Sequence, residues 1–436
     1  MGKRTKLWIA ALTTLLVAVL GLTPLTGGSA VASGPDAFGT YTGSRPLADI
    51  APGTVLKTRT APYNLHGLKL PLTVTQILYR TTDGLGRPTV NVTSVIKTPV
   101  RHTTSRAIAY GSFYDSLNPQ DGPSYGVSGG TSPGSVVVDV EAALIIPFLL
   151  QGYSVVVADT QGATADFADG PEYGRTTLDS IRAVLKTSTS GIRQDARFGL
   201  FGYSGGAIAT GWAAALAPSY APDVSKRLVG ASEGGILVDP DHNLHYISGS
   251  RVWAGVIVMA LIGASRGGGV SLLPYLNSYG LSVFAKVKNA SIANVLGKYP
   301  GLTWKQIAKP QYATPEQIPL FVRTVNRLNL AQAPAPRIPM FMGQGGNGNL
   351  EGTTAKIGTG DGVMVAGDVR SLARRYCSLG TKVLFRHYDA TSHFTTVPLW
   401  LPEAVSWMEA RFGKVKSRTD CGSIKPGNSL APLPVP

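Results

Sequence analysis

The pattern in this sequence that most directly suggests chemistry is Gly-x-Ser-x-Gly, a serine set between two glycines. It recurs along the chain, at Ser128, Ser132, Ser204, Ser232 and Ser265 among other positions. A serine can act as a nucleophile on a sharp turn between a strand and a helix, because that turn exposes Oγ and places backbone N–H groups where an oxyanion forms. A chain with 52 glycines among 436 residues also produces the pattern by chance, so the flanking sequence has to decide.

The flanking sequence favours Ser204. Residues 198–201 are apolar, as in a buried strand, and residues 207–212 are small and mostly apolar, as in a closely packed helix. The other four of these serines lack the strand before, the helix after, or both: Ser128, Ser132, Ser232 and Ser265. We therefore predict that Ser204 is the nucleophile.

A serine nucleophile needs a base, normally histidine, and an acid that orients the base. His393 lies in a predicted loop directly before the last predicted helix. Loops at the carboxyl ends of parallel strands are where catalytic groups gather, so His393 is the predicted base. His387 falls within the preceding strand and is predicted to be structural. His242 and His245 are expected to bind or cover rather than to catalyse.

The acid should come from the region between the nucleophile and the base. Asp361 lies in a glycine-rich loop and is the predicted acid. Asp368 resembles a helix-capping residue, and Glu351 and Asp389 remain alternatives. The unusually long Gly/Asn-rich stretch 343–349 before Asp361 leaves the local geometry open.

Alternating strands and helices must position these residues. The runs 73–81 and 89–97 are rich in β-formers and are separated by a turn signal at 83–86, which predicts a hairpin. The β-branched run 154–159 is typical of a strand buried on both faces. This alternation predicts an α/β fold with a mostly parallel sheet flanked by helices and an antiparallel hairpin at one edge.

The alternation stops in the middle of the chain. Residues 236–335 contain short apolar helices with Gly and Pro breaks, which predicts a helical cap inserted between core segments 33–235 and 336–413. Within it, 252–263 is apolar nearly all round, as expected of a helix that is either buried or faces lipid. The basic, Pro-rich tail 414–436 is predicted to be poorly ordered except near its cysteine.

The N-terminus has the features of an export signal. Lys3, Arg4 and Lys6 precede an apolar run, and Ala30 and Ala32 form a small-x-small cleavage site. We predict a signal peptide, residues 1–32, that is removed to give a secreted or cell-wall-associated protein; an uncleaved anchor is the alternative. No later segment is expected to be long and apolar enough to cross a bilayer.

The chain has two cysteines, Cys377 and Cys421. In an exported protein an isolated pair is most simply a disulfide, and two free thiols are the alternative. The formal charge of +15 favours adsorption to anionic lipid or cell-wall polymers. No basic run with interleaved aromatics and no recognised nucleic-acid module is present, so nucleic-acid binding is not expected. The predicted chemistry needs no cofactor and no metal.

Several short motifs, in their order and spacing, resemble the secretory lipase family, which includes the yeast lipase A type and many actinobacterial members. The resemblance covers about residues 52–412. The motifs are residues 52–56, 78–81, 114–116, 123–125, 152–159, 178–183, 202–206 and 361–363.

This resemblance implies an α/β-hydrolase core with a helical lid and triacylglycerol lipase or broader esterase activity. It places the catalytic triad at Ser204, Asp361 and His393, and an oxyanion hole at Gly205 and Asp115. The cysteine pair and the Gly/Asn-rich run have no clear counterpart in the family pattern. A serine peptidase or acyltransferase of the same fold and a non-catalytic basic surface-binding protein are the alternatives.

Overall fold

The computed structural model describes residues 36–65, 68–98, 103–354 and 357–436. The predicted signal peptide, residues 1–32, lies outside these ranges. The described chain is organised around one large sheet, and its strands follow the alternation seen in the sequence.

Nine strands of the described chain form this sheet, in the order β1-β2-β3-β5-β4-β6-β7-β8-β9. Strands β1 to β3 run antiparallel to their neighbours, including β3 against β5. Strands β4 to β9 are mutually parallel. The prediction of a mostly parallel sheet with an antiparallel edge is confirmed. The strands are β1 (Val55–Leu65), β2 (Leu68–Thr82), β3 (Pro88–Lys97), β4 (Arg106–Gly111), β5 (Ser154–Ala158), β6 (Arg197–Tyr203), β7 (Leu228–Gly234), β8 (Met340–Gly345) and β9 (Val383–Tyr388).

The α-helices of the described residues divide into those that flank the sheet and those that lie between β7 and β8. The flanking helices are α1 (Pro123–Gly126), α2 (Pro133–Leu150), α3 (Gly170–Lys186), α4 (Gly205–Tyr220), α5 (Pro222–Ser225), α12 (Ala366–Ser378) and α13 (His393–Phe412). Those between β7 and β8 are α6 (Pro240–Ile247), α7 (Val256–Gly267), α8 (Ser278–Val287), α9 (Ile292–Val295), α10 (Trp304–Ile307) and α11 (Pro319–Leu328).

Alternate strand residues supply two hydrophobic cores, one on each face of the sheet. Phe198 and Leu200 of β6 pack with apolar residues of α3 and α4. Phe201, one position further, faces the other way and packs with Phe148 of α2 and Trp400 of α13. Side chains on both faces of β6 are therefore buried, which explains why its sequence is continuously apolar.

The helices between β7 and β8 cover the first of these cores. Helix α7 is buried along most of its length, in agreement with the buried interpretation of its apolar sequence. It packs in the same hydrophobic cluster as α3 and α4. The division of the chain into a core and a separate cap at residues 236 and 335 remains a prediction.

Helix α2 corrects the expectation that no segment after the export signal could cross a bilayer. It has 18 residues and a mean hydropathy of 1.8, so it is long and apolar enough by those two criteria. Core helices of soluble proteins meet the same criteria, and 44% of α2 is buried. Its Val138, Leu144 and Phe148 pack against the sheet.

The two cysteines form a disulfide between α12 and the C-terminal tail, as predicted for Cys377 and Cys421. The expectation of a poorly ordered tail was wrong. Asn428 donates a hydrogen bond to Asp368 at 2.7 Å, and the N–H of Leu433 donates one to Asn326 at 2.9 Å. Because the tail lies along α12 and α11, its backbone groups find hydrogen-bond partners there. Composition alone does not reveal this arrangement.

Candidate active site

Ser204 lies on a sharp turn between β6 and α4. Its backbone has φ +54° and ψ −122°, an unusual conformation for a residue with a side chain. The turn is possible because three glycine backbones meet beneath it. A Cβ on Gly202 would lie 2.2 Å from the carbonyl oxygen of Gly206, and a Cβ on Gly206 would lie 2.0 Å from that of Gly111. The glycines therefore permit the close approach that raises the serine above the sheet.

The side chains of Ser204, His393 and Asp361 form a continuous hydrogen-bonded chain. His393 Nε2 is 2.7 Å from Ser204 Oγ. His393 Nδ1 is 2.8 Å from Asp361 Oδ2. Ser204 follows β6, Asp361 follows β8 and His393 follows β9, so residues distant in sequence meet at the carboxyl edge of the parallel strands.

Asp361 is held rigidly in this chain. Its Oδ1 accepts hydrogen bonds from the backbone N–H groups of Val363 at 3.1 Å and Met364 at 2.7 Å. Its side chain is fully buried. A carboxylate fixed in this way presents its second oxygen to the imidazole in a single orientation.

The other candidate acids have different partners. Asp368 contacts Nδ1 of His242 at 2.9 Å, and the exposed Asp389 contacts Nδ1 of His387 at 2.7 Å. Glu351 is buried close to the triad, where it accepts hydrogen bonds from the indole of Trp253 and the backbone N–H of Phe394. Of the four candidates, Asp361 is the one within hydrogen-bond distance of the His393 ring.

The remaining histidines and serines of the sequence argument lie elsewhere. His245 contacts Glu316, and His387 is held in β9. The Oγ atoms of Ser128 and Ser265 donate to backbone carbonyls, Ser132 caps α2, and Ser232 is buried within β7. The requirement for a strand before and a helix after the serine thus selected the one Gly-x-Ser-x-Gly serine that the described structure places beside a histidine.

The protein environment acts on His393 in opposite directions. Burial lowers the pKa of His393, but the charge and hydrogen bond of Asp361 outweigh burial, so the pKa is raised overall. The Tyr203 hydroxyl donates to the backbone carbonyl of His393 at 2.7 Å, and the Trp253 ring meets the imidazole edge-on. Both contacts restrict the orientation of the ring. Neither residue was assigned a role from the sequence.

Asp115 and Gly205 lie together beside the nucleophile. Asp115 follows β4 with φ +32° and is buried. A Cβ on Gly205 would lie 1.9 Å from Asp115 Oδ1, so any side chain at this position would displace the Asp115 carboxyl group. Gly205 is the first residue of α4, and its N–H belongs to the first-turn donors that a helix cannot use internally. Burial raises the pKa of Asp115 to about 8, which leaves its carboxyl group protonated at neutral pH.

An apolar pocket opens from this point into the helices between β7 and β8. Ser204, Gly205 and Asp115 lie on its wall, and the rest of the lining is dominated by large apolar side chains. These come chiefly from α6, α7 and α11 and include Leu244, Ile247, Ile257, Leu261, Phe321, Val325 and Leu328. An extended hydrocarbon chain is the kind of group that such a lining favours.

Comparison with known proteins places this arrangement in a family. Residues 130–419 match the model of the family described as Secretory lipase. The chain belongs to the secretory lipase family. Lipase 1 of Candida albicans is 30% identical over 382 residues, which cover 83% of this chain and 77% of that lipase. Lipase 2 of the same organism is also 30% identical, over 91% of this chain and 85% of that protein. This lipase-family chain is therefore an ester hydrolase.

Solved structures support the same fold. The closed state of Candida antarctica lipase A matches with a TM-score of 0.76 and 24% identity, over 90% of each chain. A rice cell wall degrading esterase from Xanthomonas oryzae matches with a TM-score of 0.62 and 13% identity, over 84% of this chain and all of that one. This secretory lipase family member has an α/β-hydrolase fold.

Proposed function

We propose that this protein is a secreted lipase or carboxylesterase in which Ser204 attacks the ester, His393 is the general base and acid, and Asp361 orients the imidazole. The observation that carries the proposal is the unbroken pair of hydrogen bonds from Ser204 Oγ through the ring of His393 to Asp361. Neither a metal nor an organic cofactor is required for this chemistry.

In the first half of the reaction, Ser204 Oγ attacks the ester carbonyl carbon while His393 Nε2 takes the hydroxyl proton. The electron pair of the carbonyl moves to oxygen and forms a tetrahedral oxyanion. In this proposal the N–H of Gly205 and the neutral Asp115 carboxyl group donate hydrogen bonds to it, which is the largest single contribution expected in such sites. The tetrahedral species collapses, the C–O bond to the alcohol breaks, and His393 returns its proton to the leaving alkoxide.

In the second half, a water molecule replaces the alcohol. His393 removes a proton from the water as it attacks the acyl carbon of the Ser204 ester. The second tetrahedral species collapses with the same oxyanion contacts, the acid leaves, and the proton returns to Ser204 Oγ. Asp361 stabilises the imidazolium in both halves.

The pocket supports lipid-like esters, including triacylglycerols, as substrates. Its lining beyond Ser204 is dominated by apolar side chains from the helices between β7 and β8. Each methylene transferred from water to such a lining contributes about 0.8 kcal/mol. An acyl chain placed there brings its carbonyl carbon to Ser204.

Removal of a signal peptide, residues 1–32, would release the protein outside the cell. The Cys377–Cys421 disulfide is in keeping with an oxidising compartment. Without Lys3, Arg4 and Lys6 the formal charge falls from +15 to +12, which would still favour adsorption to anionic surfaces.

Active-site labelling tests the proposal. A fluorophosphonate should modify the purified protein once, on Ser204, and Ser204→Ala should abolish labelling and lower kcat for p-nitrophenyl esters by about 10⁴-fold or more. Ser128→Ala is the matched control, because Ser128 has the same glycine spacing but lies in an exposed loop. Full activity in Ser204→Ala with an unchanged circular dichroism spectrum would refute the proposal.

A further inference from the structure

We propose that this protein has a divalent transition-metal site, of the zinc type, formed by Asp241, His245 and Glu316. This site is separate from the catalytic triad and independent of the proposed reaction. One nitrogen and two carboxylate oxygens of these residues lie within 4.8 Å of one another.

Two of the three groups come from one helix. Asp241 and His245 are four residues apart on α6, a spacing that places both side chains on the same helix face. His245 Nε2 lies 3.9 Å from Asp241 Oδ1. Two ligand atoms that each lie about 2 Å from a tetrahedral zinc ion are about 3.3 Å apart, so the two side chains would move slightly closer together on binding the ion.

The third group comes from a different part of the helical segment. Glu316 lies in the short 3-10 helix Pro315–Gln317, just before α11. Its Oε1 contacts His245 Nε2 directly, in a hydrogen bond that needs a proton on the ring nitrogen. A metal ion would take the place of this proton, with a small outward shift of Glu316 to make room.

The second and independent observation is an unsatisfied oxygen. Asp241 is 6% exposed, and its Oδ1 is buried without a hydrogen-bond partner among the described residues. A buried carboxylate oxygen left without a partner costs free energy. This oxygen is the same atom that faces His245. A cation bound there would supply its missing partner, whereas His245 is 44% exposed and leaves a path from solvent.

The donor set indicates the class of ion. One imidazole and two carboxylates suit zinc and the neighbouring first-row divalent ions, whereas calcium takes six to eight oxygens. The two carboxylate charges balance a divalent ion. Three protein ligands leave a fourth position for water in tetrahedral coordination.

A bound ion would join two elements that line the acyl pocket. Leu244 and Ile247 of α6 lie on the pocket wall, as do Phe321 and Val325 of α11. Asp241 and His245 belong to α6, and Glu316 directly precedes α11. The ion would fix the separation of these helices and so stabilise the pocket.

Zinc titration of the full chain tests the site. The protein is stripped with EDTA, returned to chelator-free buffer and titrated with ZnCl₂ by calorimetry. One ion per chain should bind, and at about 100 times Kd the melting temperature should rise on the order of 3 °C. Co²⁺ in place of Zn²⁺ should give the visible absorption of a tetrahedral ion. Binding of Ca²⁺ but not Zn²⁺, or an octahedral Co²⁺ spectrum, would refute the assignment.

Single-ligand variants locate the ion. His245→Asn and Glu316→Gln should each weaken zinc binding by about 100-fold or more. Loss of a residue that only hydrogen-bonds to a metal ligand already lowers metal affinity by about 10- to 100-fold. His387→Asn and Glu403→Gln are the matched controls, because they remove a histidine and a glutamate from other ion pairs. Zinc affinity unchanged in both ligand variants would place the ion elsewhere and overturn the proposal. The catalytic serine is intact in all four, so loss of zinc binding with retained fluorophosphonate labelling separates this site from the proposed reaction.

Discussion

Asp361 holds His393 through both its main chain and its side chain. The backbone carbonyl of Asp361 accepts the N–H of His393 at 2.7 Å, while Oδ2 contacts the ring Nδ1 at 2.8 Å. The loop after β8 and the start of α13 are therefore joined at the same residue pair that orients the base. A change at Asp361 alters the ring contact but leaves the backbone hydrogen bond available.

Asp361→Asn should accordingly lower kcat by about 10⁴-fold without loss of fold. An amide can present an N–H to Nδ1 and so favour the wrong tautomer of the imidazole. The measurement is kcat for p-nitrophenyl butyrate together with the urea unfolding midpoint. Glu351→Gln is the informative control, because Glu351 is also a buried acid near His393 but does not contact the ring. A larger loss in Glu351→Gln than in Asp361→Asn would reverse the assignment.

Asp115 should set the alkaline limit of activity. Because burial raises its pKa to about 8, the carboxyl group is neutral and can donate a hydrogen bond below that pH, and it becomes a repelling anion above it. The rate should therefore fall as pH rises through about 8. Asp115→Asn keeps a neutral donor at every pH, so its kcat–pH profile should lose this alkaline decline, whereas Asp115→Ala should lose about 100-fold at neutral pH. An identical alkaline limb in wild type and Asp115→Asn would exclude this role.

A bulky residue in α7 should change chain-length preference. Ala260 lines the pocket and is half-buried, so Ala260→Trp can fill acyl space with limited strain on the core. The ratio of kcat/KM for p-nitrophenyl palmitate to that for the butyrate should fall at least about tenfold, since each excluded methylene forfeits about 0.8 kcal/mol. Leu281→Trp provides a control on the exposed face of α8. An unchanged ratio in Ala260→Trp would mean that the acyl chain binds elsewhere.

Glu233 should make stability decrease with rising pH. It is fully buried in β7, neither carboxylate oxygen has a hydrogen-bond partner in the described chain, and burial raises its pKa to about 8. The folded state thus retains a proton that the unfolded chain releases near pH 4.3, so the free energy of unfolding falls between about pH 4.3 and 8, by up to about 1.4 kcal/mol per pH unit. Urea unfolding from pH 5 to 8 should show this slope in wild type, and Glu233→Gln should reduce it. Glu403→Gln, an exposed change, should leave the slope intact.

The sequence predicted the alternation of strands and helices and the three residues of the hydrogen-bonded chain because these depend on local patterns. Ser204 was distinguished by a strand before it and a helix after it, and the structure has β6 and α4 at those positions. The hairpin of β2 and β3 followed from a turn between two β-rich runs. Chain order and loop position then indicated Asp361 and His393, whose catalytic roles remain predictions.

The rest depends on contacts between distant segments, which local patterns do not encode. The C-terminal tail has a disordered composition, yet Asn428 and Leu433 find partners on α12 and on Asn326. Helix α2 is apolar enough for a membrane, yet its apolar side chains pack on the sheet. The environment of Glu351 beside the triad likewise depends on a contact between distant segments, because the loop after β8 packs against Trp253.

The glycines beneath Ser204 limit which positions can change as enzymes with this fold evolve new substrate preferences. Gly111, Gly202 and Gly206 touch backbone to backbone, so even a methyl group at any of them would displace main chain rather than a flexible side chain. Random mutagenesis screened for activity should record these positions as intolerant although none touches the acyl chain. New substrate preferences would then have to arise in the helices between β7 and β8, where side chains can be exchanged without disturbing the turn.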